Sequence, residues 1–161
     1  MGYDVLEVCR HVINYSNAKE YGISNLKLQK VLYFIQAYFL IDKTKNAPCF
    51  DDKIEAWNFG PVVPAAYHEY KQYGSGDIPT IDSYIIFDTD NIWDTERVKF
   101  NDDVITDEDK KRINKVVDKF SGYSATDLVA ITHRQSPWMD AYAPYKNNEI
   151  TLDAIKEYFN A

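Results

Sequence analysis

The side chains able to do covalent or metal chemistry are few and scattered along this chain. The three histidines, His11, His68 and His133, lack the close spacing of a zinc motif. His68 opens "HEY", without the second histidine that an HExxH site requires. Cys9 and Cys49 form no CxxC pair, and Cys9 falls on the apolar side of a predicted helix, where a thiolate is disfavoured. A thiol–imidazole couple between Cys9 and His133 would therefore have to form against burial. The 25 acidic residues supply chance carboxylate pairs, most of them solvated. No phosphate-binding glycine loop is present, since "GSGD" at 74–77 precedes no capped helix. The residues thus predict no catalytic group, no metal ligand and no cofactor, and a protein that is not an enzyme.

What the chain concentrates is rigid aromatic area. The stretch "EAWNFGPVVPAAYHEYKQYG" (55–74) sets Trp57, Phe59, Tyr67, Tyr70 and Tyr73 around Gly60, Pro61 and Pro64. A second stretch, "HRQSPWMDAY" (133–142), carries His133 and Trp138. Aromatics make up 15% of the residues, and the 13 tyrosines fit either a wet-edged core or a recognition surface. Residue by residue, packing is the simpler reading. A Trp beside a Gly-Pro bend fixes the bend, His133 at a helix end caps terminal carbonyls, and Ala66, Tyr67, Tyr70 and Tyr73 first make a buried face.

The elements that must position these residues are mostly helical. Val5, Leu6, Cys9, Val12 and Ile13 repeat with helical spacing, and the pattern ends near Gly22. Ser24 or Asn25 then caps a helix in which Leu28, Val31, Leu32, Ile35 and Phe39 form one stripe. Its remaining circumference is nearly all apolar, which predicts a central helix buried on every side. "KIEAWNF" alternates like a short strand, "GPVVP" breaks it, and Pro64 suits the first turn of a helix that Gly74 closes. "SYIIF" and "RVKF" suggest short strands with an Asp-rich loop between, either joining the Trp57 strand or forming an irregular excursion. Thr106 and Ser124 cap two further helices, Ser136-Pro137 makes a turn, and Thr151 caps the last helix. The fold class expected is mainly α around a central buried helix, in one domain spanning 1–161, with a small β element or an irregular excursion in the middle.

The formal net charge of −7 opposes nonspecific nucleic-acid binding, and no local cluster of bases offsets it. The most apolar segment, "VLYFIQAYFLI", is too short to span a bilayer and includes Gln36. "MGYDVLEVCR" lacks the basic start and apolar run of a secretory leader, and neither cysteine demands an oxidising compartment. The expectation is a cytoplasmic protein with no nucleic-acid or membrane partner.

Three stretches in this order, "LKLQKVLYFIQAYFL" (26–40), "FDDKIEAWNFGPVVPAAYHEYKQYG" (50–74) and "THRQSPWMDAY" (132–142), resemble the SocA-like or Panacea antitoxin domain of GepA-type phage-associated proteins. Leu28, Gln29, Lys30, Leu32, Tyr33 and Phe34 match that family's helix motif. Trp57, Gly60, Pro61, Val62, Pro64 and Tyr67 match its proline corner, and His133, Pro137 and Trp138 match its late element. The resemblance implies a mostly helical domain that neutralises a protein toxin encoded nearby by binding it directly. A family variant on this theme acts as an adaptor that delivers the toxin to an AAA+ protease. On this reading Trp57, Phe59, Gly60, Pro61, Pro64, Tyr67, Tyr70, Tyr73, His133 and Trp138 form or support the partner-binding face, with an acidic loop at Asp88 to Asp94 as its flank. An enzyme using His133 and nearby tyrosines is the least favoured alternative.

Overall fold

The computed structural model describes residues 2–88 and 91–160. The chain opens with α1 (Val5–Ala18), capped by the Asp4 carboxylate accepting from Leu6 N–H. Next comes α2 (Asn25–Ile41), capped by Ser24. A hairpin of β1 (Ile54–Trp57) and β2 (Gly60–Val62) leads into α3 (Pro64–Tyr70) and a 3-10 turn over Lys71–Tyr73. A second hairpin, β3 (Ser83–Asp88) and β4 (Asn91–Lys99), precedes α4 (Asp107–Lys119), α5 (Ala125–Thr132), α6 (Ser136–Ala141), the short β5 (Glu149–Ile150) and α7 (Leu152–Asn160). The class is mainly α with small antiparallel sheets, as the sequence predicts.

The central helix is α2, and its burial follows from its composition. Leu28, Val31, Leu32, Tyr33, Ile35 and Phe39 are at most 1% exposed, and α1, α4, α5, α7, β2 and α3 all pack against it. Its polar residues are enclosed too, and each ties down backbone that has no ladder partner. Gln36 accepts from Cys49 N–H at 2.7 Å and donates to the Phe50 carbonyl at 2.8 Å, anchoring the chain just before β1. The predicted caps at Thr106, Ser124 and Thr151 each accept from a backbone N–H, and Ser124 with Asp127 completes a capping box. Cys9 is fully enclosed and burial raises its pKa well above the usual thiol value, consistent with an inert packing residue.

Four sequence expectations are corrected. "GPVVP" does not end the strand: after a turn at Asn58-Phe59, Gly60–Val62 pairs antiparallel with β1, with Trp57 opposite Gly60. Pro61 is tolerated because β2 lies at the edge of the sheet, whose order is β2-β1-β5. The third strand is supplied by Glu149–Ile150, so the β3–β4 hairpin stands apart from the Trp57 strand. Its Asp-rich segment is largely strand, not loop; Thr89 and Asp90, within the acidic flank expected from sequence, lie outside the described residues. Lastly, Ser136-Pro137 begins a helix instead of a turn, with Pro137 in its first turn.

Among the described residues, no helix is long and apolar enough to cross a membrane, and no group of three or more His, Cys, Asp or Glu side chains could hold a metal ion.

Candidate functional site

The β1–β2 turn is braced from behind by α2. Lys30, fully enclosed, donates from Nζ to the Pro61 carbonyl at 3.0 Å. Gln29 accepts from Val63 N–H at 3.0 Å and donates to Asn25, whose amide reaches the Tyr67 carbonyl. Two adjacent residues of one helix thus fix both ends of the Pro61–Val63 backbone, and a third holds the middle of α3. Burial alone pushes the Lys30 amine down to about 7. Gly60 closes against this brace at φ 106°, and a Cβ there would stand 2.7 Å from Lys30 Cε and 2.9 Å from Thr132 Oγ1. Only glycine fits.

The turn is clamped from its other side by α6. His133, Trp138 and Tyr142 form a continuous ring stack, with centroids 4.0 and 4.6 Å apart and planes within 21°. Trp138 Nε1 donates to the Trp57 carbonyl at 2.8 Å, and the Tyr142 hydroxyl donates to Asn58 Oδ1. Stack and hydrogen bonds together hold Trp57 and Asn58 in one geometry. His133 terminates α5, but its ring does not cap carbonyls as expected; it stacks on Trp138, and its Nε2 is buried without a hydrogen-bond partner among the described residues.

In front of this brace lies an open groove of about 330 Å³, with Trp57, Phe59, Tyr67 and Tyr145 among its walls. Trp57 and Tyr67 meet edge to face at 5.0 Å, with His68 adding a ring contact 5.5 Å from Tyr67. Phe59 is 65% exposed and Tyr145 is fully exposed, so the groove presents two large rings to solvent.

The residues singled out from sequence therefore divide by role. Trp57, Phe59 and Tyr67 share the groove. Gly60 and Pro61 are buried in the turn, and Pro64 is half-buried at the start of α3. His133 and Trp138 support the turn from the α6 side. Tyr70 and Tyr73 belong elsewhere: Tyr70 is buried and Tyr73 partly exposed in a separate groove of about 340 Å³ beside Arg10, Tyr84 and Arg97. Tyr145 was missed, because a lone tyrosine in the polar run "PYKNN" has no periodic signal. The bracing roles of Gln29 and Lys30 were missed as well, although two polar side chains inside an otherwise apolar helix are such a signal.

The family described as "Antitoxin SocA-like, Panacea domain" matches residues 28–139, from the first turn of α2 into α6. A curated relative, "Antitoxin SocA" of Caulobacter vibrioides (strain NA1000 / CB15N), is 39% identical over 71 residues, which is 44% of this chain. The match spans 37% of that relative's length. No solved structure matches the chain.

Proposed function

The chain belongs to the Antitoxin SocA-like, Panacea domain family, and from that membership and the geometry of the braced groove we propose that it is an antitoxin that neutralises a protein toxin by direct binding. The docking face is the groove of Trp57, Phe59, Tyr67 and Tyr145. The observation that carries this reading is the contrast between support and surface. The Lys30 and Trp138 side chains donate to the Pro61 and Trp57 carbonyls and Gln29 accepts from Val63 N–H, which fixes the β1–β2 hairpin, while Phe59 at its turn is 65% exposed. Large rings held on a stiff support lose little freedom on binding, which is what an interface anchor requires. A stable interface needs about 800 Å² from each partner, so the groove acts as the centre of a wider contact.

The same features support a non-enzymatic role. The groove walls are rings, amides and one lysine, with no nucleophile beside a base. We place the protein in the cytoplasm as one domain, acting on a toxin encoded by a neighbouring gene, with neither nucleic acid nor membrane as partner. The test is co-expression with the product of the adjacent gene. The toxin is expected to co-purify with this chain and to lose its growth arrest, whereas separate elution of the two proteins with growth restored would refute direct binding.

A further inference from the structure

An open cavity of about 320 Å³, sharing no wall residue with the Trp57 groove, is formed by α2, α4, α5 and α7. Phe34, Ile41, Val116, Phe120, Ile131 and Phe159 are among its walls, and Phe34 stacks on Phe120 at 4.4 Å. Among the described residues, the Tyr38 hydroxyl and the Lys119 amine are the only polar side-chain groups on those walls, and no acid lines them. Lys115 and Lys119, one turn apart on α4, stand beside two of its rings. Lys115 Nζ donates to the Tyr38 hydroxyl at 3.4 Å, and Lys119 Nζ lies 6.0 Å from the centre of the Phe120 ring. Both lysines are exposed, and neither makes an ion pair among the described residues. Nearby acids are engaged elsewhere: Asp118 accepts from the Tyr15 and Tyr21 hydroxyls, and Asp42 pairs with Arg112. The helix dipole favours Lys119 at the end of α4, but it does not account for a like charge four residues earlier, which repels it. An apolar cavity with a cationic rim is therefore present in a chain whose net charge is −7.

We propose that this cavity binds a medium-chain carboxylic acid, its hydrocarbon tail lying against the rings while its carboxylate accepts from the Lys115 and Lys119 amines. The volume falls in the range of small-molecule sites, which are mostly apolar with a few polar groups that fix orientation. The walls on α2 run from Phe34 to Ile41, about 10 Å of helix, which an alkyl chain of about eight carbons spans. A peptide segment fits less well, because its amide groups need partners and the wall side chains supply only one hydroxyl and one amine. A cationic amphiphile would add to the charge of the two lysines. This site lies outside the toxin-docking face and does not depend on that reading.

Octanoate, octanamide, octylammonium and butyrate, titrated into the full chain and followed by NMR of the Phe34 and Phe120 rings and the Ile41 and Ile131 methyl groups, test this directly. Octanoate is expected to saturate these signals at least about fivefold more tightly than its neutral counterpart octanamide. Butyrate, with four fewer methylenes to bury, should bind at least about tenfold more weakly than octanoate. The double variant Lys115→Gln/Lys119→Gln, at exposed positions, should weaken octanoate about threefold or more and leave octanamide within about twofold, and added salt should weaken octanoate alone. Equal or tighter binding of octanamide or octylammonium, or an octanoate response that the double variant does not change, would overturn the carboxylate assignment. No saturable shift at these signals would remove the site. Shifts produced by raising the protein concentration or by adding the toxin, with octanoate inert, would give this face to a second copy or to the toxin and would equally overturn the proposal.

Discussion

Lys30 Nζ donates a 3.0 Å hydrogen bond to the Pro61 carbonyl, joining the centre of α2 to the edge strand of the sheet in a place from which water is excluded. A lysine with one acceptor is an expensive residue to enclose, and burial lowers its pKa from 10.5 to about 7. In the window between those values the folded chain binds fewer protons than the unfolded chain. Stability therefore rises as pH increases from about 7 toward 10.5, by at most about 1.4 kcal/mol per pH unit. Urea unfolding between pH 7 and 8, where the thiols and tyrosines of the unfolded chain are still mostly protonated, should show that rise in the wild type. Lys30→Met should flatten it. A slope unchanged by the substitution would mean that the amine is charged in the folded state.

Gly60→Ala should destabilise the protein by about 2–5 kcal/mol, the sum of a strained positive φ and a Cβ pressed against Lys30 and Thr132. Thermal or urea unfolding reads this, and a loss under about 1 kcal/mol would mean that the turn yields easily.

Trp138→Phe keeps a ring between His133 and Tyr142 but removes the donor to the Trp57 carbonyl. The expected cost is about 1–2 kcal/mol of stability, with weaker toxin binding because Trp57 is released. Normal binding by the variant would show that the indole hydrogen bond does not shape the groove.

The architecture was legible wherever one residue pattern served one purpose. The largely apolar circumference of α2 announced a helix enclosed on all sides, and Ser24, Thr106 and Ser124 announced helix starts through side chains that accept from backbone N–H groups. Strand β2 was hidden because Gly-Pro reads as a break, and only its edge position, set by the distant Ile54–Ile150 pairing, makes proline acceptable there. The candidate site was half legible. Tyr67, Tyr70 and Tyr73 share a three-residue spacing, but the step from Tyr67 to Tyr70 turns the side chain about 60° around α3. That rotation carries Tyr70 away from the Trp57 groove, and the 3-10 turn that follows, with three residues per turn, keeps Tyr73 beside it in the groove near Tyr84. Tyr145 reaches the groove from a coil between α6 and β5, a long-range placement that no local pattern encodes.

That division of tyrosines separates two faces experimentally. Tyr145→Ala should weaken toxin binding sharply, whereas Tyr73→Ala, on the other groove, should leave it within about threefold. Affinity measured by calorimetry for the two variants decides between the faces, and the reverse order would move the docking site to the Arg10–Tyr84 side.

Masking by direct contact needs no protease. Rescue of toxin-arrested cells should persist in strains lacking each AAA+ protease in turn, and rescue that vanishes with one of them would assign the chain an adaptor's role.

The central claim, that exposed rings on a braced turn hold the toxin, is tested most directly by the affinity of the double variant Phe59→Ala/Tyr145→Ala for the co-purified toxin. Both side chains lie on the surface, so the melting temperature should stay close to that of the wild type. The account predicts at least about a 30-fold loss of affinity, the mark of an interface hot spot of about 2 kcal/mol or more. Wild-type affinity in a fully folded double variant would contradict it.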